Sequence, residues 1–231
     1  MKIFITIIMS LYISNSFALD RKDLASINLN EILKDTQAQP SNAGDKHLSL
    51  IWWVPFEYWA SVFSRDSNIN ESLKKEMLGT LENYSILAVV QADISSFGAF
   101  NFYPNDHILK NLKVTYKNSN NKISIIKPTN SYSNDLKILL SQITPVLKAA
   151  MGNMGESFNF YIFDDKNTKG GRILDPYKNG LLKVDLKKSN KENINVSFET
   201  PLNSLFHPRL CPNGKPAHIS WNYCPWSGKE I

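Results

Sequence analysis

Apolar and polar residues alternate along parts of this chain in the way expected of half-buried strands. Leu112, Val114 and Tyr116 alternate with polar neighbours, and the stretches 182–186 and 194–198 repeat this pattern. Residues 84–94 are almost continuously apolar, which is typical of a central strand that is buried on both faces. Shorter apolar runs predict further strands at 48–54, 99–103, 123–126 and 158–163.

Elsewhere the apolar residues recur with helical spacing. Phe56, Trp59 and Phe63 follow Pro55 and share one face of a predicted helix, so we expect that face to be part of the core. Further helices are predicted over 23–35, 70–83 and 134–151, where the capping side chains are those of Asp23, Asn70 and either Ser133 or Asn134.

These elements predict the fold class. The strands outnumber the helices, several neighbouring strands are spaced as antiparallel pairs, and no regular alternation of strand and helix occurs. We therefore expect an α+β fold, with an antiparallel sheet or sandwich and two or three packed helices. Residues 19–231 are long enough for one globular domain with a well-developed core.

The first 18 residues have the order of an export signal. Lys2 precedes an apolar run over 3–13, and Ser16, Phe17 and Ala18 then match the small-x-small rule for signal peptidase. A buried N-terminal helix and a membrane anchor are the alternatives, but the apolar run is short for a bilayer. We expect cleavage after Ala18, no transmembrane helix in what remains, and a periplasmic or secreted protein.

Composition and charge limit the classes of molecule that the protein is expected to bind. The formal net charge is +5, and it becomes +4 once Lys2 is removed with the signal. The lysines are scattered and no arginine-rich patch is interleaved with aromatic residues, so nucleic acid is a poor candidate partner. An envelope polymer or an envelope protein is the expected partner, and no motif in the sequence calls for a cofactor.

The two cysteines lie in the C-terminal segment CPNGKPAHISWNYCPWSG, residues 211–228. Each one is followed by proline, as in a zinc-ribbon knuckle, but each half has lost its second thiolate. His207 and His218 lie nearby and would complete a four-ligand zinc site with Cys211 and Cys224, although the spacing matches no standard knuckle. An exported protein favours a disulfide instead. We therefore predict a disulfide-closed knuckle over 206–231, without metal, packed by Trp221 and Trp226.

Several phrases of the sequence resemble a known family. They are IWWVPFEYW, AVVQADISSFGAFNF, MGNMGESFNFYIFDD and PLNSLFHPRLCPNGK, together with the tail, and the resemblance extends over most of the chain after residue 18. The chain resembles a family of uncharacterised exported bacterial proteins with a Trp-Trp-x-Pro segment and a C-terminal Cys-Pro…Cys-Pro pair that looks like a degenerate zinc ribbon. The resemblance implies a bacterial exported protein and carries no activity with it.

No catalytic motif stands out. The sequence lacks Gly-x-Ser-x-Gly, His-Glu-x-x-His and a phosphate-binding glycine loop. A non-catalytic structural or binding module of the envelope is therefore the first hypothesis, and no enzyme class is assigned. The alternative is an envelope hydrolase that uses carboxylates such as Glu57, which lies among aromatic residues, and Asp93.

The candidate binding residues are tryptophans. Trp52, Trp53 and Trp226 are aromatic side chains that would suit a ligand surface if they were exposed. Trp52 and Trp53 are adjacent on a predicted strand, so their side chains point to opposite faces. We therefore expect at most one of these two rings to be fully interior.

Overall fold

The computed structural model describes residues 19–189 and 192–231, and the predicted signal peptide, residues 1–18, lies outside them. The strands are β1 (Gln37–Ala38), β2 (His47–Val54), β3 (Tyr84–Ile94), β4 (Phe100–Phe102), β5 (Lys113–Lys117), β6 (Ile123–Ile126), β7 (Asn159–Asp164), β8 (Gly180–Lys187), β9 (Asn193–Thr200), β10 (Arg209–Leu210) and β11 (Pro216–Ala217). The helices are α1 (Leu29–Thr36), α2 (Phe56–Arg65), α3 (Glu71–Leu81), α4 (Asn105–Asn111), α5 (Asn134–Met151) and α6 (Asn153–Glu156). The predicted α+β class is confirmed.

The first sheet is built around β3. On one side, β3 pairs with β2 along the full length of β2, and β1 extends the sheet beyond β2. On the other side, β3 pairs with β7 over 84–89 and with β4 over 92–94. All these pairs are antiparallel. Because β3 has neighbours on both edges and layers on both faces, its sequence is apolar almost throughout.

The second sheet has the strand order β6-β5-β8-β9, and it is antiparallel as well. The two alternating stretches at 182–186 and 194–198 pair as predicted, with Val184 opposite Val196. Along β9 every second residue is buried and the others are exposed, so one face of this sheet meets the core and the other meets solvent.

The main core lies between the two sheets, which therefore form a sandwich. Side chains from both sheets meet there, among them Ile51, Trp53, Leu87 and Val89 from the first sheet and Val184, Leu186, Ile194, Val196 and Phe198 from the second. A second core covers the opposite face of the first sheet. It joins Leu50, Trp52, Val54 and Ile86 to residues of α2, α3 and α5: Trp59, Phe63, Leu81, Leu136 and Leu140. The layers are thus helices, first sheet and second sheet.

Two predictions need correction. The stretch 23–35 is not one helix, because a 3-10 turn at Leu24–Ser26 is followed by α1, whose cap is the Asn28 side chain rather than that of Asp23. Trp52 and Trp53 do point to opposite faces, yet both are buried, with 8% and 1% of their surface exposed. The expectation that only one would be interior is wrong because the first sheet is covered on both faces.

Two short helices, α4 and α6, were not predicted. They contain seven and four residues, too few for a periodic pattern to emerge. Within residues 19–189 and 192–231, no helix combines the length and the apolar character that crossing a bilayer requires.

Candidate functional site

The predicted disulfide between Cys211 and Cys224 is confirmed. The two cysteines are bonded to each other and their Cα atoms lie 5.5 Å apart, within the usual range for a disulfide. Both are buried, and together with Ala217 they form a core of their own, separate from the two larger cores. Residues 206–231, the knuckle, are therefore held by this covalent link as well as by Phe206 and Ile219, which reach the main core.

Each cysteine begins a tight turn of the same design. The Gly214 amide donates to the Cys211 carbonyl and the Gly228 amide to the Cys224 carbonyl, at 2.8 Å in both cases. Both glycines have positive φ, 76° and 67°, a conformation that side-chain-bearing residues rarely adopt. Two similar turns thus face each other across the disulfide, which takes the place that a metal has in a zinc ribbon.

The sulfur atoms are not metal ligands in this arrangement. His218 Nδ1 lies 2.7 Å from the Ser220 hydroxyl, and His207 is exposed. Among the residues that the structure describes, no group of three or more His, Cys, Asp and Glu side chains is placed to hold a metal ion. The zinc-site alternative therefore finds no support in the geometry.

The knuckle carries exposed aromatic rings. Trp221, Tyr223 and Trp226, which we call the aromatic surface, are 40%, 62% and 51% exposed, although they occupy only six positions of the chain. The rings of Trp221 and Trp226 touch edge to face, with centroids 6.2 Å apart. The two rings thus contact each other, whereas their packing on the disulfide stays a prediction, and about half of each ring remains available to a partner.

Basic side chains border the aromatic surface. Lys215 Nζ lies 5.0 Å from the centre of the Trp226 ring, a cation–π arrangement. The Arg209 guanidinium donates to the carbonyl oxygens of Ile219 and Trp221, at 3.2 and 2.8 Å, and so holds the segment that carries Trp221 in place. The backbone that carries the rings is therefore fixed by side-chain hydrogen bonds.

The N-terminal end of the described chain lies against the root of the knuckle. The His207 amide donates to the Asp20 carbonyl at 2.9 Å, and the Lys22 amide donates to the Leu205 carbonyl at 3.0 Å. Arg21 and Phe206 form an antiparallel bridge between these two bonds. Residues at opposite ends of the sequence are thus neighbours in the fold.

The other two candidate binding residues are internal. Trp53 faces the second sheet, and its indole Nε1 donates to the Ser85 hydroxyl at 2.7 Å. Trp52 faces the helices and meets the Tyr58 ring edge to face. Neither ring has a surface to offer a ligand, so of the three predicted binding tryptophans only Trp226 is accessible.

Glu57 is held in a buried ion cluster. It lies in the first turn of α2, and its Oε1 accepts a 2.5 Å hydrogen bond from Arg172, whose guanidinium also bonds Asp165 Oδ2 at 2.9 Å. Asp165 has no exposed side-chain surface, and its other oxygen accepts from the amides of Ile173 and Leu174. One guanidinium therefore joins two buried carboxylates that come from distant parts of the sequence.

Burial raises the pKa of the Glu57 carboxyl above its ordinary value, although the charge of Arg172 acts in the opposite direction. Burial likewise raises the pKa of Asp165 against the effect of the same guanidinium. A raised pKa is what a general acid needs. Glu57, however, has only 4% of its side chain exposed and is occupied by Arg172, so no substrate reaches it.

Asp93 belongs to a different network at the rim of the sandwich. Its Oδ1 lies 3.0 Å from His47 Nδ1 and accepts from the Tyr103 hydroxyl at 2.8 Å, while its Oδ2 accepts from the Ser189 hydroxyl at 2.8 Å. Burial alone would raise the pKa of Asp93, but these hydrogen bonds together lower it below its ordinary value. Asp93 therefore stays ionised and ties the first sheet to the end of β8.

The network contains a serine, a histidine and an aspartate in hydrogen-bonded order. His47 Nε2 lies 2.8 Å from the Ser49 hydroxyl, and His47 Nδ1 faces Asp93. In a hydrolase the serine must be open to substrate while the aspartate is buried. Here Ser49 is 2% exposed, whereas the Asp93 side chain is 38% exposed beside an open cleft of about 550 Å³. The order of exposure is thus reversed, and Ser49 is not placed to act as a nucleophile.

Glu57 and Asp93 do not form a pair. Asp93 is opposite His47 at the start of β2, and Glu57 follows the end of β2. The seven residue steps along β2 span about 23 Å at roughly 3.3 Å each. Paired carboxylates that cleave one glycosidic bond lie only about 5–9.5 Å apart. The two carboxylates are therefore too far apart to act together on one bond.

Sequence reasoning missed the partners of both carboxylates. Arg172, Asp165, His47 and Ser189 are scattered over the chain, and no local spacing connects them to Glu57 or Asp93. One weak signal was present, because an acidic residue within an apolar helix face requires a cation nearby. The sequence contains few arginines, yet it does not reveal which of them pairs with Glu57.

Comparison of the chain with protein-family models, with curated proteins and with solved structures gave no match. The resemblance to the family of exported bacterial proteins therefore stays a prediction, and function must be argued from the geometry.

Proposed function

We propose that this protein is a non-catalytic binding module of the bacterial cell envelope and that the aromatic surface of its knuckle is the part that binds. One observation carries the proposal: three aromatic rings are held exposed on a turn that a disulfide closes. Exposed aromatic residues on a rigid support are the usual anchors of binding surfaces, because they bring large contact area at low entropic cost.

The disulfide supports an exported location. Disulfides form and persist in oxidising compartments and are rare in the cytosol. Phe206 and Ile219 anchor the knuckle in the main core, but the cluster beside the rings has only Cys211, Ala217 and Cys224 as buried residues, so the presentation of the rings depends in part on that bond. Residues 1–18 are then the signal that directs the chain to the envelope.

The carboxylate networks support a non-catalytic role. Glu57 and Asp165 are both paired with one arginine inside the protein, and both oxygens of Asp93 accept hydrogen bonds from neighbouring side chains. Such arrangements are those of structural charges, where removal of one partner destabilises the fold because it leaves the other charge unpaired.

Sedimentation with envelope fragments tests the proposal. The exported protein is mixed with fragments of the producing bacterium, and the bound fraction is compared for the wild type, the double variant Trp221→Ala/Trp226→Ala and the control Phe97→Ala. Phe97 lies in the turn between β3 and β4 and is 97% exposed, so its loss removes an exposed ring elsewhere. We expect the double variant to lose at least tenfold in affinity and the control to lose nothing.

Equal binding by the double variant would contradict the proposal. A second pair of variants, Glu57→Gln and Asp93→Asn, addresses the hydrolase alternative. We expect both to bind envelope fragments as the wild type does, and no soluble sugar or peptide fragment to be released by any of the proteins.

A further inference from the structure

We propose that the partner of the aromatic surface is a lipid bilayer with anionic headgroups, on which the knuckle docks. This inference rests on the proposed function and names the partner of the same site. Three features of the knuckle carry it: the kind of its exposed side chains, the charge around them, and the place where the N-terminal segment leaves the fold.

The exposed side chains are those that favour a membrane interface. Tryptophan and tyrosine have an apolar ring with a polar end, and both are enriched where a bilayer meets water. Trp221, Tyr223 and Trp226 are joined in the knuckle by Leu210, which is 60% exposed. The rings are too few for the roughly 1,000 Å² that a stable protein interface requires, but a shallow insertion into the headgroup region needs only such a small patch.

The charge of the knuckle is complementary to anionic lipid. Arg209, Lys215 and Lys229 are its basic side chains, and Glu230 is the acidic one. Lys215 lies over the Trp226 ring, so a cation is placed beside an aromatic side chain that would enter the headgroup layer. Basic residues next to inserted aromatic residues strengthen binding to anionic bilayers, in a manner that salt weakens.

The described N-terminal segment starts at the root of the knuckle, which links the predicted signal to this site. The predicted cleavage site precedes Leu19, and Asp20 is bonded to His207 at the root of the knuckle. Six residue steps separate the apolar run that ends at Ile13 from Leu19, a reach of about 21 Å at most. In a chain that folded before the predicted signal was removed, the root of the knuckle would therefore lie within about this reach of the bilayer.

Two other apolar patches lack these features. The turn at 95–100 exposes Phe97 and Phe100 but contains no basic residue. The groove between α3 and α5 is bordered by the acidic side chains of Glu76 and Asp135, which an anionic bilayer would repel. Of the three patches compared, all within the described residues, the knuckle combines aromatic exposure with positive charge.

Vesicles test the inference directly. The exported protein is mixed with vesicles of phosphatidylcholine alone, or of phosphatidylcholine with one third phosphatidylglycerol, and binding is measured by sedimentation at low and high salt. We expect binding to the anionic vesicles, weaker binding at high salt, and at least tenfold weaker binding by Trp221→Ala/Trp226→Ala. Lys215→Glu/Lys229→Glu should lose binding to the anionic vesicles, whereas Phe97→Ala should bind as the wild type does.

Intrinsic fluorescence gives an independent readout. Vesicles brominated in the lipid chains near the headgroup should quench the emission of Trp221 and Trp226, and Trp221→Phe/Trp226→Phe should abolish that quenching because Trp52, Trp53 and Trp59 are buried. Variants are used only after their thermal unfolding and intact disulfide have been checked against the wild type.

The outcomes separate the two proposals. Absence of wild-type binding to anionic vesicles, or equal binding by the tryptophan double variant, would overturn the lipid assignment. If envelope fragments still require Trp221 and Trp226 in that case, the proposed function stands and the partner is an envelope glycan or protein. If neither vesicles nor fragments require the two tryptophans, both proposals fail.

Discussion

The tryptophans of the sandwich and those of the knuckle have opposite surroundings. Trp52, Trp53 and Trp59 are at most 8% exposed and take part in the two large cores. Trp221 and Trp226 are 40% and 51% exposed, beside a core of only three buried residues. The same side chain therefore fills space in one region and presents a surface in the other, and the difference follows from what surrounds the backbone.

The comparison shows why the knuckle needs its disulfide. In the sandwich, layers of side chains on both faces of the first sheet hold each element in place, and exposing a large ring there would leave a cavity. In the knuckle the covalent bond supplies part of that constraint, so large rings are free to remain outside. A rigid exposed aromatic surface is thus possible where little apolar packing exists.

The largest expected effect is that of Trp53→Ala. The ring is buried between the two sheets and donates a hydrogen bond to Ser85, so its removal leaves a cavity and an unpaired hydroxyl. We expect the free energy of unfolding to fall by about 3–5 kcal/mol. Urea denaturation measures this change, and a loss below about 1 kcal/mol would show that Trp53 is not packed as described.

The next effect is that of removing the disulfide with Cys211→Ser/Cys224→Ser. In the chain-entropy model a loop of this size stabilises by about 3 kcal/mol, which is about a hundredfold in a local opening equilibrium. We expect hydrogen exchange to accelerate by about that factor at the Cys211 and Cys224 amides, which are bonded to Lys215 and Lys229. The amides of β3 serve as the control and should change little; equal acceleration there would mean that the sandwich depends on the knuckle.

Much of the fold was predictable from the sequence. The strands at 84–94, 182–186 and 194–198 and the helix capped by Asn70 lie within a few residues of their predicted positions, because each has a long and regular pattern. The disulfide was predictable as well, because the apolar N-terminal run predicts export and two cysteines have one intramolecular pairing.

The surroundings of individual side chains were not predictable. Alternation places Trp52 and Trp53 on opposite faces, but it does not say that helices cover one face and a second sheet the other. The ion cluster of Glu57 joins residues more than a hundred positions apart, a distance over which no local pattern extends. The exposure of Trp226 likewise depends on the small number of buried residues beside it, which the local sequence does not reveal.

A smaller, pH-dependent effect concerns Asp93, at the rim of the sandwich. Its hydrogen bonds lower its pKa in the folded state below the ordinary value of 3.8. The stability that they provide is therefore fully present above pH 3.8 and is lost as the pH falls through the folded-state pKa. Because the side chain is 38% exposed, solvent screening limits the contribution to below about 1 kcal/mol.

Acid unfolding of Asp93→Asn and of the wild type measures this contribution. The difference in unfolding free energy between them should shrink as the pH falls below 3.8. The pH-dependent contributions of Glu57 and Asp165 to the unfolding free energy are the same in both proteins and cancel in the difference. A difference that grew at low pH would contradict the assignment of Asp93 as a carboxylate stabilised in its ionised form.

The smallest expected effect on stability is that of Trp226→Ala. Half of the ring is already in solvent, and its partners are the Trp221 ring and Lys215. We expect a change within about 0.5 kcal/mol, the usual range for surface positions. Urea denaturation beside Trp53→Ala gives the contrast directly, and a loss as large as that of Trp53→Ala would mean that the ring serves the fold and not a partner.

The most direct test of the central claim observes all five tryptophans at once. The protein without residues 1–18 is labelled with 5-fluorotryptophan, its five fluorine resonances are assigned with single Trp→Phe variants, and envelope fragments are added. We expect the resonances of Trp221 and Trp226 to shift or broaden while those of Trp52, Trp53 and Trp59 keep their positions and relative widths. Selective changes at the three buried tryptophans, or none at Trp221 and Trp226 while the protein is bound, would contradict the claim that the knuckle is the binding surface.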